Sequence, residues 1–148
     1  MLAPTQGNIA SGVVEFEQDG DVMHVRIRID GLVPNASHGL HIHEIGDCRA
    51  PDASSAGGHF NPQGSKHGGP TGEYRHAGDL GNVQSDANGL AQADIEVSGI
   101  SLGTGSDSII GRSVIVHAQA DDLVSQPSGN AGPRIACGLI SKNPDTFF

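Results

Sequence analysis

Between residues 23 and 30 the chain alternates without a break: Met23, Val25, Ile27 and Ile29 are apolar, while His24, Arg26, Arg28 and Asp30 are polar. A period of two puts one set on each face of an extended strand, so this segment belongs to a sheet with one wet face. Before it, Val14 and Phe16 share a face of a second strand, and Asp19-Gly20 marks a hairpin turn between the two. Asn88-Gly89 marks another hairpin, whose return strand turns Ala91, Ala93, Ile95 and Val97 inward. A further strand covers roughly residues 111–118, with Val114, Val116 and Ala118 on one face and Ile115 and His117 on the other. The last runs near residues 134–140, with Ile135, Cys137 and Leu139 inward. No segment holds a period of 3.6 over helical length and no internal repeat is present, so the expected class is an all-β sandwich or barrel.

At 148 residues the chain suits a single domain, residues 1–148, large enough to bury a core of its own. A content of 22 glycines, 3% aromatics and no Trp argues against a helical bundle and against a platform for stacking bases. The net charge of −9 excludes the phosphate backbone of nucleic acid as partner, because that affinity comes from clustered Lys and Arg. No apolar run approaches the roughly 20 residues that span a bilayer, so no membrane partner is expected. Residues 1–10 lack the basic start and apolar middle of a signal peptide, which by itself leaves the compartment open.

Six of the eight histidines form an ordered series: His41 and His43, then His59, His67 and His76 with Asp79 three positions on, and finally His117. Imidazole with one carboxylate suits zinc and copper. Seven candidates exceed one tetrahedral site, so the count points to two ions with one ligand shared, or one residue a bystander. In Leu40-His41-Ile42-His43 the two imidazoles project from one face and the two aliphatic residues from the other. His117 alternates with Val116 and Ala118 in the same way, which puts the metal site on the outer wall of the barrel and leaves the apolar core as a separate layer. The long stretch 46–78, rich in Gly, Pro, Ser and His, carries three of the histidines and is expected to cover that wall. Its glycine pairs, Gly57-Gly58 and Gly68-Gly69, read as loop hinges, because no strand-to-helix context makes them phosphate cradles. His24, alone on its strand, reads as a surface residue.

Several runs in order carry a resemblance: Gly39-Leu40-His41-Ile42-His43-Glu44, Ala56-Gly57-Gly58-His59-Phe60-Asn61-Pro62, Lys66-His67-Gly68-Gly69-Pro70, and Arg75-His76-Ala77-Gly78-Asp79-Leu80-Gly81-Asn82. With residues 111–122 and the run Gly129-Asn130-Ala131-Gly132-Pro133-Arg134-Ile135-Ala136-Cys137-Gly138, they resemble copper/zinc superoxide dismutase over nearly the whole chain. The resemblance implies an eight-stranded Greek-key β-barrel. It also implies copper held by His41, His43, His59 and His117, and zinc held by His59, His67, His76 and Asp79, with His59 shared. Asp121 matches a carboxylate that joins a copper histidine to a zinc histidine, and His38 matches a structural histidine of the loop beneath the site. The implied activity is dismutation of superoxide to dioxygen and hydrogen peroxide by alternating reduction and oxidation of copper, with His59 as a proton source. Arg134 matches the family's anion-guiding arginine, and Lys66 is a further cation for an anionic substrate that must approach a protein of net charge −9.

The chain departs from the eukaryotic members in three places. Residues 122–129 are several shorter and lack a charged cluster, with Gln126, Pro127 and Ser128 in its place. Cys48 stands five positions after His43, as in bacterial periplasmic members, and by the resemblance pairs with Cys137. A bridge closing so long a segment contributes about 3–5 kcal/mol in the chain-entropy model. Two matching cysteines favour a periplasmic or extracellular location over the cytoplasm. Ile45, Gly46, Ile110 and Gly111 resemble the eukaryotic dimer patch and imply a homodimer, while Lys142 replaces an aliphatic residue of it. A metal store, an adhesion sandwich and a copper-only dismutase are the rival readings. The first two do not need a complete ligand set with the guiding arginine, and the third leaves His67, His76 and Asp79 without purpose.

Overall fold

The strict alternation of residues 23–30 becomes the central strand of a three-stranded sheet in the computed structural model, which describes residues 1–69, 75–126 and 128–141. The strands are β1 (Ala3–Pro4), β2 (Ser11–Asp19), β3 (Val22–Asp30), β4 (Ser37–His43), β5 (Asp79–Gln84), β6 (Ala91–Val97), β7 (Ser113–His117) and β8 (Arg134–Leu139). One sheet runs β2-β3-β6 and the other β1-β8-β7-β4-β5, with every pairing antiparallel. Met23, Val25, Ile27 and Ile29 are buried between the sheets against Leu40, Ile42, Val114, Val116 and Ala136. β7 lies beside β4, and β5 and β6 abut across the seam between the sheets, which gives the Greek-key order β7-β4-β5-β6. The opposite seam is closed by the N-terminus: Leu2 bridges to Gly12 of β2 while Ala3 pairs with Cys137 of β8.

β4 is buried on both faces, and this positions the site. Leu40 and Ile42 enter the core, whereas His41 and His43 face the opposite way beneath the long loop. Among its described residues that loop holds one short 3-10 turn, Ser54–Ala56, and it is clipped to the sheet by the Cys48–Cys137 disulfide. Ala53 and Ala56 pack with Ile115 and Cys137 in a small second core on the outer side of β7 and β8.

Four sequence expectations are corrected. The first hairpin turns at Gly20-Asp21, one residue later than expected, because Asp19 already pairs with Val22. Asn88-Gly89 does not close a hairpin: the strands it joins lie in different sheets, and β6 pairs with β3 instead. On β8 the inward residues are Ala136 and Gly138, in register with Val116 and Val114 of β7, and Ile140 joins the core just past the strand. Cys137 faces the loop with Ile115, Leu139 is 49% exposed, and Ile135 packs only at the margin of the core. His38 is a residue of β4 itself, fully buried, not of a loop. Its Nδ1–H reaches the His117 carbonyl at 3.1 Å and so ties the ends of β4 and β7. Pro70, Pro127 and Lys142 lie outside the described residues.

Candidate metal centre

Alternation along β4 and β7 brings His41, His43 and His117 to one outer wall, and the loop folds His59 over them through the His43–His59 bridge. Ligand atoms of His41, His43, His59 and His117 all lie within 4.8 Å of one another. One nitrogen of each outer ring is already committed. His43 Nδ1–H donates to the Gly57 carbonyl at 2.9 Å and His117 Nδ1–H to the Gly132 carbonyl at 3.0 Å. His41 Nε2–H donates to Asp121 Oδ2 at 2.7 Å. These bonds fix the tautomers and leave four lone pairs, on His41 Nδ1, His43 Nε2, His59 Nε2 and His117 Nε2, each buried without a hydrogen-bond partner. Four orphaned imidazole acceptors at one point are unfavourable unless a cation sits among them.

A second constellation begins at the other nitrogen of His59. His59 Nδ1 lies 2.8 Å from Asp79 Oδ1 and 3.1 Å from His76 Nδ1, which is itself 3.4 Å from Asp79 Oδ1. His67 Nδ1 sits 2.8 Å from Asp79 Oδ2 without making a hydrogen bond. A tetrahedral ion with bonds of 2.0–2.1 Å has ligand edges of about 3.3 Å, which the two His76 contacts match, while the two contacts to Asp79 at 2.8 Å are shorter. His41 also falls within 4.8 Å of His59, His67 and Asp79. Its Nε2 is engaged by Asp121, however, and its remaining nitrogen belongs to the first group. The residues present therefore fit one three-histidine, one-carboxylate ion beside one four-histidine ion, with His59 between them.

Asp121 joins the two halves, since its Oδ1 accepts from His67 Nε2 at 2.8 Å and its Oδ2 from His41. It is held in turn by Asn82, whose side-chain amide donates to the Asp121 carbonyl at 2.9 Å and accepts the Asp121 N–H at 2.7 Å. Asp79 Oδ2 accepts the backbone N–H of His76 and of Gly68 at 2.7 and 3.1 Å.

The electrostatics sort the histidines into two kinds. Burial lowers His41 to about 4 despite its bond to Asp121, and lowers His117 to about 3. His43 is pushed well below the ordinary range, again by burial first, with His59, Arg134 and His117 adding repulsion. These rings are neutral donors at physiological pH. Burial also opposes charging of His67, but the carboxylates of Asp121 and Asp79 outweigh it and raise the ring to about 9. Burial works against ionisation of Asp79 and Asp121, yet the surrounding imidazoles and N–H groups hold both well below the usual carboxylate range.

Arg134, at the start of β8, is half-buried with its guanidinium donating to the Ala53 carbonyl at 2.8 Å and the Gly57 carbonyl at 2.6 Å. Gly57 is also the acceptor for His43, so one carbonyl aligns both a histidine of the four-ring group and the guanidinium. Lys66 is exposed, and His24 is on the outer face of β3 between Asp19 and Glu96, away from the centre. Sequence reasoning did not assign roles to Asn82, Gln126 or the Gly57 and Gly132 carbonyls. Asn82 had a signal in its place three residues after Asp79, whereas a backbone acceptor leaves none.

The family described as "Copper/zinc superoxide dismutase (SODC)" matches residues 10–140. The chain is similar to "Superoxide dismutase [Cu-Zn]" of Saccharomyces cerevisiae, 49% identical over 138 residues that cover 88% of each chain. It is also similar to the protein of the same name from Yarrowia lipolytica, 48% identical with the same coverage. "Extracellular superoxide dismutase [Cu-Zn]" of Brugia pahangi is 43% identical over 95% of this chain and 73% of the relative. The chain belongs to the copper/zinc superoxide dismutase family.

Proposed function

We propose that this chain dismutates superoxide with copper held by His41, His43, His59 and His117 and zinc held by His59, His67, His76 and Asp79. The observation that carries the reading is the set of four buried imidazole nitrogens, without partners, that converge beside the His/Asp cluster and share His59 with it. When bound, copper supplies the one-electron redox couple and zinc supplies fixed charge without redox chemistry. His59 is the one ring that presents a nitrogen to each side, and its Nε2 is where the chain holds a proton next to the reacting oxygen whenever that nitrogen is free. Arg134 uses two of its five N–H groups on carbonyls and keeps the rest for an anionic oxygen. Its local positive field offsets the net charge of −9 at the site. The test is superoxide consumption by metal-loaded and copper-stripped protein with both metals quantified. Activity that follows copper at near-equal zinc supports the reading, and bound copper without activity points to storage or transfer.

The location we propose is an oxidising one, periplasmic or extracellular. The Cys48–Cys137 disulfide supports it, since such bonds persist outside reducing compartments. Among the described residues no helix is long and apolar enough to cross a membrane. Thiol trapping in fractionated cells tests the location: a reduced pair in the cytosolic fraction overturns it. For assembly we propose a homodimer through Ile45, Gly46, Ile110 and Gly111. Gly46 abuts the Gly111 carbonyl so closely that a side chain there would collide with it, which brings the two isoleucine segments together. Ile45 and Leu139 are 47% and 49% exposed on either side of Ser113, an apolar rim of the kind a second subunit covers. Sedimentation of the parent and of Ile45→Asp tests this, with a dimer that becomes a monomer as the expected result.

A further inference from the structure

We propose that Gln126 is a positioning residue for the zinc side of the centre, its carboxamide gripping the main chain of His67 on both sides of the Cα. The proposal rests on the ligand reading above. Gln126 Oε1 accepts the His67 N–H at 2.8 Å, and Gln126 Nε2 donates to the His67 carbonyl at 2.9 Å. The second Nε2 hydrogen reaches the Val124 carbonyl at 2.9 Å, so the amide is oriented by its own loop before it meets His67.

That loop is closed on itself. Asp122 donates to the Gly129 carbonyl at 2.9 Å, Gly129 to the Ser125 carbonyl at 2.8 Å, and Asp122 Oδ1 accepts from the N–H groups of Val124 and Ser125. The residue before it, Asp121, takes the His67 imidazole. One short segment thus fixes His67 twice, through the ring and through the backbone. The remaining ring nitrogen, Nδ1, is left facing Asp79.

The need for such a grip is in the sequence around His67. Gly64 precedes it and Gly68-Gly69 follow, so the unrestrained segment has more backbone freedom than most, and fixing it costs conformational entropy. Among the described residues, Gln126 supplies the hydrogen bonds that the His67 main chain makes. A ligand restrained before the ion arrives loses less freedom on binding, and partners of metal ligands commonly alter affinity by about 10–100-fold.

The experiment compares zinc release to a chromophoric chelator from the fully metallated parent and from Gln126→Met, which keeps the length of the side chain and removes every hydrogen bond. Copper release, the visible spectrum of the cobalt-substituted zinc site and unfolding of the metal-free proteins are followed in parallel. The expected result is zinc release at least tenfold faster, an altered cobalt spectrum, and copper release and metal-free unfolding unchanged. Zinc release within twofold of the parent overturns the proposal. Zinc and copper release that rise together with a loss of metal-free stability overturns it too, because the residue is then merely structural. A parent that binds no zinc overturns the ligand reading as well, and this is distinguished from the other failures because it is seen without any substitution.

Discussion

Gly129 presses its backbone against the carboxylate of Asp121: a Cβ on Gly129 would fall 1.9 Å from Asp121 Oδ1 and 2.7 Å from His67 Nε2. Its φ of +75° is itself unfavourable for any residue with a side chain. Gly129→Ala therefore displaces the carboxylate that joins the two halves of the centre. The metal-free protein is expected to lose more than about 2 kcal/mol, from backbone strain together with overlap. Zinc and copper per chain fall with it, and denaturant midpoints with elemental analysis check both.

Arg134 shares the Gly57 carbonyl with His43, so its charge and its hydrogen bonds are separable in experiment. Arg134→Ile is expected to slow superoxide consumption about tenfold or more, the scale of electrostatic steering. Copper content stays close to the parent because His43 keeps its acceptor. Arg134→Lys restores charge without the two-carbonyl geometry and falls between them. Rates measured over a range of ionic strength check this, with the flattest salt dependence expected for Arg134→Ile. Equal loss of copper and rate indicates a structural arginine.

The histidines give the metal-free protein a stability maximum. His41 and His117 are lowered from 6.5 to about 4 and about 3, so their contribution is present above pH 6.5 and is lost as pH falls through those values. His67 is raised to about 9, so its contribution is present below pH 6.5 and is lost as pH rises through about 9. Stability should peak near neutrality and fall more steeply on the acid side, where His43 also counts. In the proposed zinc set the ion displaces the His67 proton, so zinc affinity should rise with pH up to about 9. Denaturation curves and zinc titrations from about pH 5 to about pH 9 check both slopes.

The disulfide spans 89 positions, and in the chain-entropy model a closure of that length is worth about 4–5 kcal/mol. Reduction should lower the unfolding midpoint accordingly. It should also depress activity before unfolding, because the loop it clips carries the Gly57 and Ala53 carbonyls that align His43 and Arg134. Unfolding and activity followed with and without reductant separate the two effects.

The alternating strands were legible because one face of each is wet: on β3 Met23, Val25, Ile27 and Ile29 are buried and the alternating arginines are exposed. β8 misled because both of its faces are covered near the middle, one by the core and the other by the disulfide loop, so Cys137 and Ala136 are both buried on opposite sides. Asn88-Gly89 has a hairpin's sequence, but local turn chemistry does not encode which sheet the next strand joins. The convergence of the histidines was readable since imidazole and carboxylate are the side chains zinc and copper ions take, and strand alternation puts His41, His43 and His117 on one wall. Gln126 was not: an amide that grips a distant backbone has no characteristic spacing, and only the fold brings it to His67.

The two-residue strand at the N-terminus pairs with the last strand, Ala3 against Cys137. During synthesis the first partner therefore emerges long before the second, and at about 5–20 residues per second the wait lasts on the order of ten seconds. Until β8 arrives, β7 has an open edge, the seam between the sheets is unsealed, and neither Cys137 nor Arg134 exists to receive the loop. Closing of the barrel, oxidation of the cysteine pair and completion of the metal-binding wall are thus late events of the nascent chain's maturation, all waiting on the same six-residue strand.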